Sequence, residues 1–387
     1  MTTIKRAALL GLSGILMTAA PMTTLAGSPE FARSAEEWAR LRDNVLEYEE
    51  IPGLIREYNA TVQKADIDYN EFRREYGITN DEVANRYYEL ADELRSLDYP
   101  DVDDDNYAAM MAKIINSEMS AKQYEQTADD ALEDSYVKYM TNCQTEANLV
   151  ASAQTEMINY YLNQLQLQTA QYTKVMQEDN YQSALNQQGV GMATEVEVLT
   201  ALESVHNAEQ TIQTTQSAID TGRQKLQVMT GWKADDTPEI REIPAVDMNR
   251  IASMNPEVDK EAALANSYAQ IINKRKLENA QSEDKRETLQ TTIAETERSI
   301  YATLNARYQA VLAAKTAYDL AAAQSDLSEQ SMQRAERMLA SGDMSPLQYR
   351  TQKNSTEIAR LSVKTAELNL FQAMESYDWA VNGLAGS

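Results

Sequence analysis

Glycine and proline are scarce in this chain, twelve and eight among 387 residues, so there is little material for turns. Barrels, sandwiches and doubly wound sheets need a turn every ~8–15 residues and are disfavoured on that ground. Phenylalanine and tryptophan number three each, which leaves few large side chains for a thick globular core. The single histidine, His206, is a poor start for a metal site or a catalytic triad, and reads as solvated on a helix flank. The single cysteine, Cys143, excludes an internal disulfide and reads as a small, buried, weakly polar residue. No Gly-x-Gly-x-x-Gly, Walker lysine loop or His-Glu-x-x-His occurs, so no cofactor or metal is expected and the chain reads as a non-enzyme. Sixty acidic residues make close carboxylate pairs inevitable and therefore uninformative. The run Asp101–Asp105 suggests calcium, but the twelfth loop position is Ala112, so it fails as an EF-hand and reads as a solvated loop. A net charge of −25 argues against nucleic acid and against an anionic membrane surface.

What remains is apolar residues in regular spacing, 43% of the chain, too many for disorder. At the N-terminus, Lys5 and Arg6 precede an apolar stretch from Ala7 to Ala20 and small residues ending Thr24-Leu25-Ala26. That layout is a secretory signal over residues 1–26, whose apolar stretch of about 14 residues is shorter than the ~20 of a membrane span. The protein is expected to be exported.

Beyond it the chain contains two unequal copies of one plan. Gly191-Met192-Ala193-Thr194-Glu195-Val196 aligns with Gly342-Asp343-Met344-Ser345-Pro346-Leu347, roughly 151 residues on. Behind each turn runs a heptad ladder. In the first copy it is Val198, Val205, Ile212, Ile219, Leu226 beside Ala201, Ala208, Thr215, Gly222, Met229. In the second it is Tyr349, Thr356, Val363, Leu370, Tyr377 beside Gln352, Ala359, Ala366, Ala373, Ala380. Thr194 with Glu197, and Ser345 with Gln348, spell capping boxes, and Pro346 takes the first helical position. Gly189, Gly191 and Gly342 are read as supplying the positive φ that ends each preceding helix. Proline is absent from Asp101 to Thr237 and from Glu257 to Ser345, so the helices are long: ~55 residues reach ~80 Å. The aromatic run Tyr160, Tyr161, Tyr172, Tyr181 is read as helix packing.

The copies begin at Ile51-Pro52-Gly53-Leu54 and Asn255-Pro256-Glu257-Val258, roughly 204 residues apart. Copy one therefore carries about 53 extra residues, expected within 65–119 and helical in spacing. The expected organisation is a signal at 1–26, a first α-hairpin repeat at 27–232, a connector with Pro238 and Pro244 at 233–254, and a second repeat at 255–387. Lys260 to Gly342 is expected to be helix throughout.

The duplicated hairpin, the Gly-x-x-Ser/Thr turn before a heptad ladder, and the connector leading into Asn255-Pro256 together resemble the TolC-like outer-membrane efflux proteins. The resemblance implies an all-α tube of three chains, with the turns Gly189–Glu195 and Ser341–Pro346 as its entrance. It also implies an adaptor (membrane fusion) protein docked at those turns and an energised inner-membrane pump, in efflux or type I-like secretion. It places the protein in a bacterial cell envelope, in the outer membrane or periplasm, or on the surface of a single-membrane host. One departure is plain: the family inserts a pair of membrane strands in each copy, and no alternating ~10-residue stretch is found here. Glu195 and Asp343 carry two readings. In a trimer they would form carboxylate rings at the mouth; alternatively Asp343 suits the turn and Glu195 the positive end of its helix. The other function left open is an exported coiled-coil scaffold or adhesion protein with no pore.

Overall fold

A computed structural model describes residues 28–100, 106–233 and 235–386. The signal segment and the Asp101–Asp105 run lie outside the described residues. Helices dominate: α1 is Ala35–Leu41, α2 Ile51–Tyr58, α3 Ala60–Tyr76, α4 Asn80–Arg95 and α5 Tyr107–Asp129. The long helices α6, Ser135–Gly189, and α7, Glu195–Met229, form the first hairpin. After the connector come α8, Met248–Ser253, α9, Pro256–Asn266, and α10, Tyr268–Asn279. The second hairpin is α11, Glu283–Ser341, with α12, Pro346–Trp379. The plan α2-α3-α6-α7 is thus repeated as α9-α10-α11-α12. The fold is all-α and duplicated.

The four long helices lie side by side in the order α7, α6, α12, α11, a single layer with α7 and α11 at its edges. Two apolar cores sit where the short helices strap across it. One gathers Trp38, Leu46, Ile51, Ile55, Met157, Ile158, Leu226 and Phe371; the other gathers Ile300, Leu304, Val311, Leu370, Met374 and Tyr377. Toward the turns burial thins, and the ladder continues through smaller residues: Val198, Val205 and Ala208 on α7, Ser325 and Ala335 on α11, Thr356 on α12. A lone antiparallel pair covers only one face of each helix, so the seam nearest the turns stays narrow.

Polar bonds hold the repeats together. Trp379 Nε1 donates to Gln154 Oε1 at 3.0 Å, and Tyr48 donates to Glu375 at 3.1 Å while its ring meets Phe371 edge-on. The connector is pinned as it crosses. Glu239–Ile240 pairs in parallel with Val45–Leu46, the only strand pairing among the described residues, and Tyr161 donates to Ile240 O at 2.9 Å.

Three expectations are corrected. Residues 260–342 are not one helix: Ser267, fully buried and extended, caps α10, and 280–282 break the chain before α11. The extra segment of copy one is the α4–α5 hairpin, lying between Gly77 and Asp134 rather than within 65–119, because α3 matches α10 before the paths diverge. Cys143 is half-buried, not buried; even so, burial is the main cause pushing its thiol up. His206 is exposed, as expected, beside Glu209 at 3.3 Å.

Candidate functional site

The two interhelical turns are built alike. In the first, Gly191 takes φ +77° and the next amide, Met192, donates across the helix end to Gln187 O at 2.7 Å. In the second, Gly342 takes φ +80° and Asp343 donates to Met338 O at 2.8 Å. Each is a left-handed glycine followed by a bond back across the helix end, which satisfies carbonyls that the helix leaves open. A side chain at either glycine would meet nothing within 4 Å, so backbone conformation, not crowding, selects glycine. Gly189 is different. It is the last residue of α6, has no positive φ, and also faces open space. The expectation that it bends the chain is therefore corrected; one left-handed residue suffices to turn the backbone, and Gly191 provides it.

The outgoing helices start on complete capping boxes. Thr194 accepts from Glu197 N at 3.3 Å while Glu197 accepts from Thr194 N at 2.6 Å. Ser345 and Gln348 do the same at 3.2 and 3.0 Å, with Pro346 at the first helical position. The backbone N–H of Thr194, and then its hydroxyl, hold the Glu197 carboxyl below the usual glutamate range.

Chemically the two turns differ. The first is apolar: Val190 is 71% exposed, Met192 79% and Val196 71%. The second is polar, and Asp343 accepts a hydrogen bond from Ser341 Oγ at 2.6 Å. Glu195 is exposed in the first turn of α7. Both carboxylates are at the tips, and Asp343 is tied back into its own turn.

One contact near the tips has no signature in the sequence. Arg350, one turn into α12, grips Asp179 of α6 with two bonds, Nε to Oδ2 at 2.8 Å and Nη2 to Oδ1 at 2.6 Å. The Asp179 side chain is only 14% exposed. This forked pair fastens one hairpin to the other below the turns, and 171 residues separate its members. Between hairpin arms, Lys174 bridges to Glu209 and Arg360 to Glu329, both at 3.1 Å. The outward face of α7 is polar: Thr200, Glu203, Asn207, Gln210, Thr211, Gln213, Thr214, Ser217 and Asp220 are exposed. Its threonines satisfy themselves on carbonyls four residues back. Among the described residues there is no cluster suited to a metal ion, and no helix is long and apolar enough to cross a membrane.

No family model matches the sequence, and neither does any curated protein. Solved structures do. The chain is similar to a membrane protein from Pseudomonas aeruginosa, 12% identical with a TM-score of 0.54, over 88% of this chain and 91% of that one. It is also similar to the outer membrane protein VceC of Vibrio cholerae, 10% identical with a TM-score of 0.49, over 90% and 99%. A third is the outer-membrane channel OprN, 11% identical with a TM-score of 0.47, over 90% and 92%. At such identity the likeness is one of fold.

Proposed function

We propose that the protein is a passive conduit of an efflux or type I-like secretion system, three copies forming a helical tube. The carrying observation is the single layer α7-α6-α12-α11 with two open edges and small-residue seams. Such a layer shields its apolar seams only by continuing edge to edge, α7 of one copy against α11 of the next, until it closes. The polar face of α7 suits a wet wall, whereas a scaffold rod would carry one uniform apolar seam. The likeness in fold to a membrane protein supports the same reading, as do the exposed turns.

In this reading the chain is exported to the cell envelope after loss of residues 1–26. The tips Gly189–Glu195 and Ser341–Pro346 form the entrance and the docking ground of an adaptor protein, which couples the tube to an inner-membrane pump. The exposed Val190, Met192 and Val196 are the docking anchors, and Gly191, Thr194, Gly342, Ser345 and Pro346 shape the turns that present them. Glu195 and Asp343, repeated about the axis, favour cations at the mouth. The test is the mass of the mature protein in solution together with low-resolution imaging. A trimer with a hollow axis is expected; a compact single-copy particle without a lumen overturns the reading.

A further inference from the structure

We propose that the inner wall of the tube is free of fixed charge through its middle, so that cargo passes hydrated and without selection by the sign of its charge. This deepens the conduit reading above and rests on it.

The layer has two unlike faces. Helices α6 and α12 are covered on both flanks by neighbouring long helices and keep only two free sides each. One side lies under the short helices and the connector. There Met157 and Ile158 of α6 and Phe371 of α12 enter the first core, while Glu375 and Asp378 of α12 hold Arg250. The other side carries a groove lined by Asn148, Ser152, Thr155 and Asn159 of α6 with Ser376 and Ala380 of α12. Two residues are about 200° of helix rotation, so Thr155 and Asn159 stand across the helix from Met157. A closed layer turns its thicker face outward, because straps turned inward would fill the axis. The groove face is therefore the inner one.

Supercoiled helices hold a face in steps of seven. Taken from the groove toward the turns, those steps meet no charge. On α6, Asn159 is succeeded by Gln166, Thr173, Asn180 and Gln187. On α12, Ser376 leads to Asn369, Ser362, Ser355 and Gln348. Beside them Ala380 leads to Ala373, Ala366, Ala359 and Gln352. None of these residues is an exposed large apolar side chain. The strap side of the same helix is the opposite. Steps of seven from Asp378 and Phe371 give Lys364 and Glu357, and Arg360 pairs there with Glu357 and with Glu329 of α11.

This partition decides what the cargo feels. A net charge of −25 spread evenly over both faces would repel anions along the whole passage. Placed on the strap face it is one helix diameter, ~10 Å, from the lumen, beyond the ~8 Å that physiological salt leaves unscreened. Few charges border the inner face. Lys225 of α7 is held by Glu156 of α6 at 2.6 Å. Arg307 of α11 donates to Ser376 Oγ at 2.6 Å in the groove, and Glu203 of α7 is exposed toward the turns. Ser362 stands two heptads, ~21 Å, from the level of Arg307. With the register set by the Lys174–Glu209 bridge, Gln166 is about as far from the level of Glu203. Selection by charge is thus confined to the two ends. The hydroxyls between are already occupied: Thr173 donates to Thr169 O and Ser362 to Ile358 O, both at 2.9 Å. A wall of satisfied hydroxyls, amides and alanines grips a polar solute weakly enough to let it leave.

The test uses the full mature chain carrying Cys143→Ser, so that no native thiol competes. A single cysteine is placed on the inner face, Gln166→Cys or Ser362→Cys, or on the strap face, Gln171→Cys, two steps of seven from Met157; all three positions are exposed. Protein of trimeric mass is reacted with a cationic and an anionic methanethiosulfonate of equal size, each rate divided by that of a free neutral thiol. At both inner positions the cation-to-anion ratio is expected within about two-fold of one at physiological salt. A ratio of about five or more in favour of either sign overturns the uncharged wall and leaves the tube standing. The two inner positions lie on different helices, so misfolding of one variant leaves the other to decide. Enclosure is read separately, by biotin maleimide followed by streptavidin, which is too wide to enter a twelve-helix tube. Capture of the Gln171→Cys variant alone is expected. Equal capture of all three, or a monomeric mass before labelling, sinks the tube and the wall together.

Discussion

Replacing the turn glycines one at a time with alanine separates conformation from space, because all three have room for a methyl group. At Gly191 and Gly342 the backbone is left-handed. An alanine there costs ~1–2 kcal/mol in the folded turn, offset by ~0.4–1 kcal/mol because the unfolded chain is also restricted. The net loss is about 1 kcal/mol for each. At Gly189 the residue is helical, so alanine gains up to ~0.5 kcal/mol from better helix propensity. The predicted spread between Gly189→Ala and either other variant is ~1.5 kcal/mol, close to a tenfold change in a local opening constant. Hydrogen exchange reads it directly. The Met192 and Asp343 amides close the two turns on Gln187 O and Met338 O, and their exchange follows opening of those bonds. In Gly191→Ala the Met192 amide should exchange about five-fold faster, and in Gly342→Ala the Asp343 amide likewise, each turn independent of the other. Gly189→Ala should slow the first or leave it unchanged. If Gly189→Ala accelerates exchange as much as Gly191→Ala, the assignment of the bend to one left-handed residue is wrong.

Cutting the forked pair with Arg350→Ser should free the hairpins from each other near the tips, raising proteolysis of the turns, while global stability falls by no more than ~1 kcal/mol because Arg350 is largely solvated. A collapse of the thermal transition would mean the pair is structural for the whole layer. Acid should loosen the start of α7 early. The Glu197 carboxyl is depressed in the fold, so its contribution is full above the ordinary glutamate value of about 4.3 and is lost as pH falls through the lower folded value. Faster exchange of the first α7 amides in that window, abolished in Glu197→Gln, checks this; no pH dependence would refute it. For the mouth, Asp343→Asn should reduce the cation preference of the reconstituted assembly, and an unchanged preference removes the carboxylate ring.

The repeat is legible because its parts are local. Capping boxes at Thr194 and Ser345, the glycine before each, and the ladders behind them are set by residues within a few positions of one another, where helix geometry alone dictates who meets whom. The same locality explains the error at Gly189: Gly189 and Gly191, with only Val190 between them, offer the bend equally on paper, and only the backbone path chooses. Breaks at Ser267 and 280–282 are hidden from a sequence reading because neither carries glycine or proline; Ser267 leaves the helix to cap α10 against the C-terminal segment, a contact from across the chain.

Length, class, duplication and the site of both turns thus follow from sequence, since a heptad of apolar residues between helix caps has one low-energy form. Which helix lies beside which does not. The order α7-α6-α12-α11, the Arg350–Asp179 clamp and the free-standing α4–α5 shaft depend on side chains 30 to 171 residues apart finding one another, and periodicity encodes a contact face without encoding its occupant. Burial of those faces against particular neighbours is a property of the packed chain, and only the tertiary structure decides it.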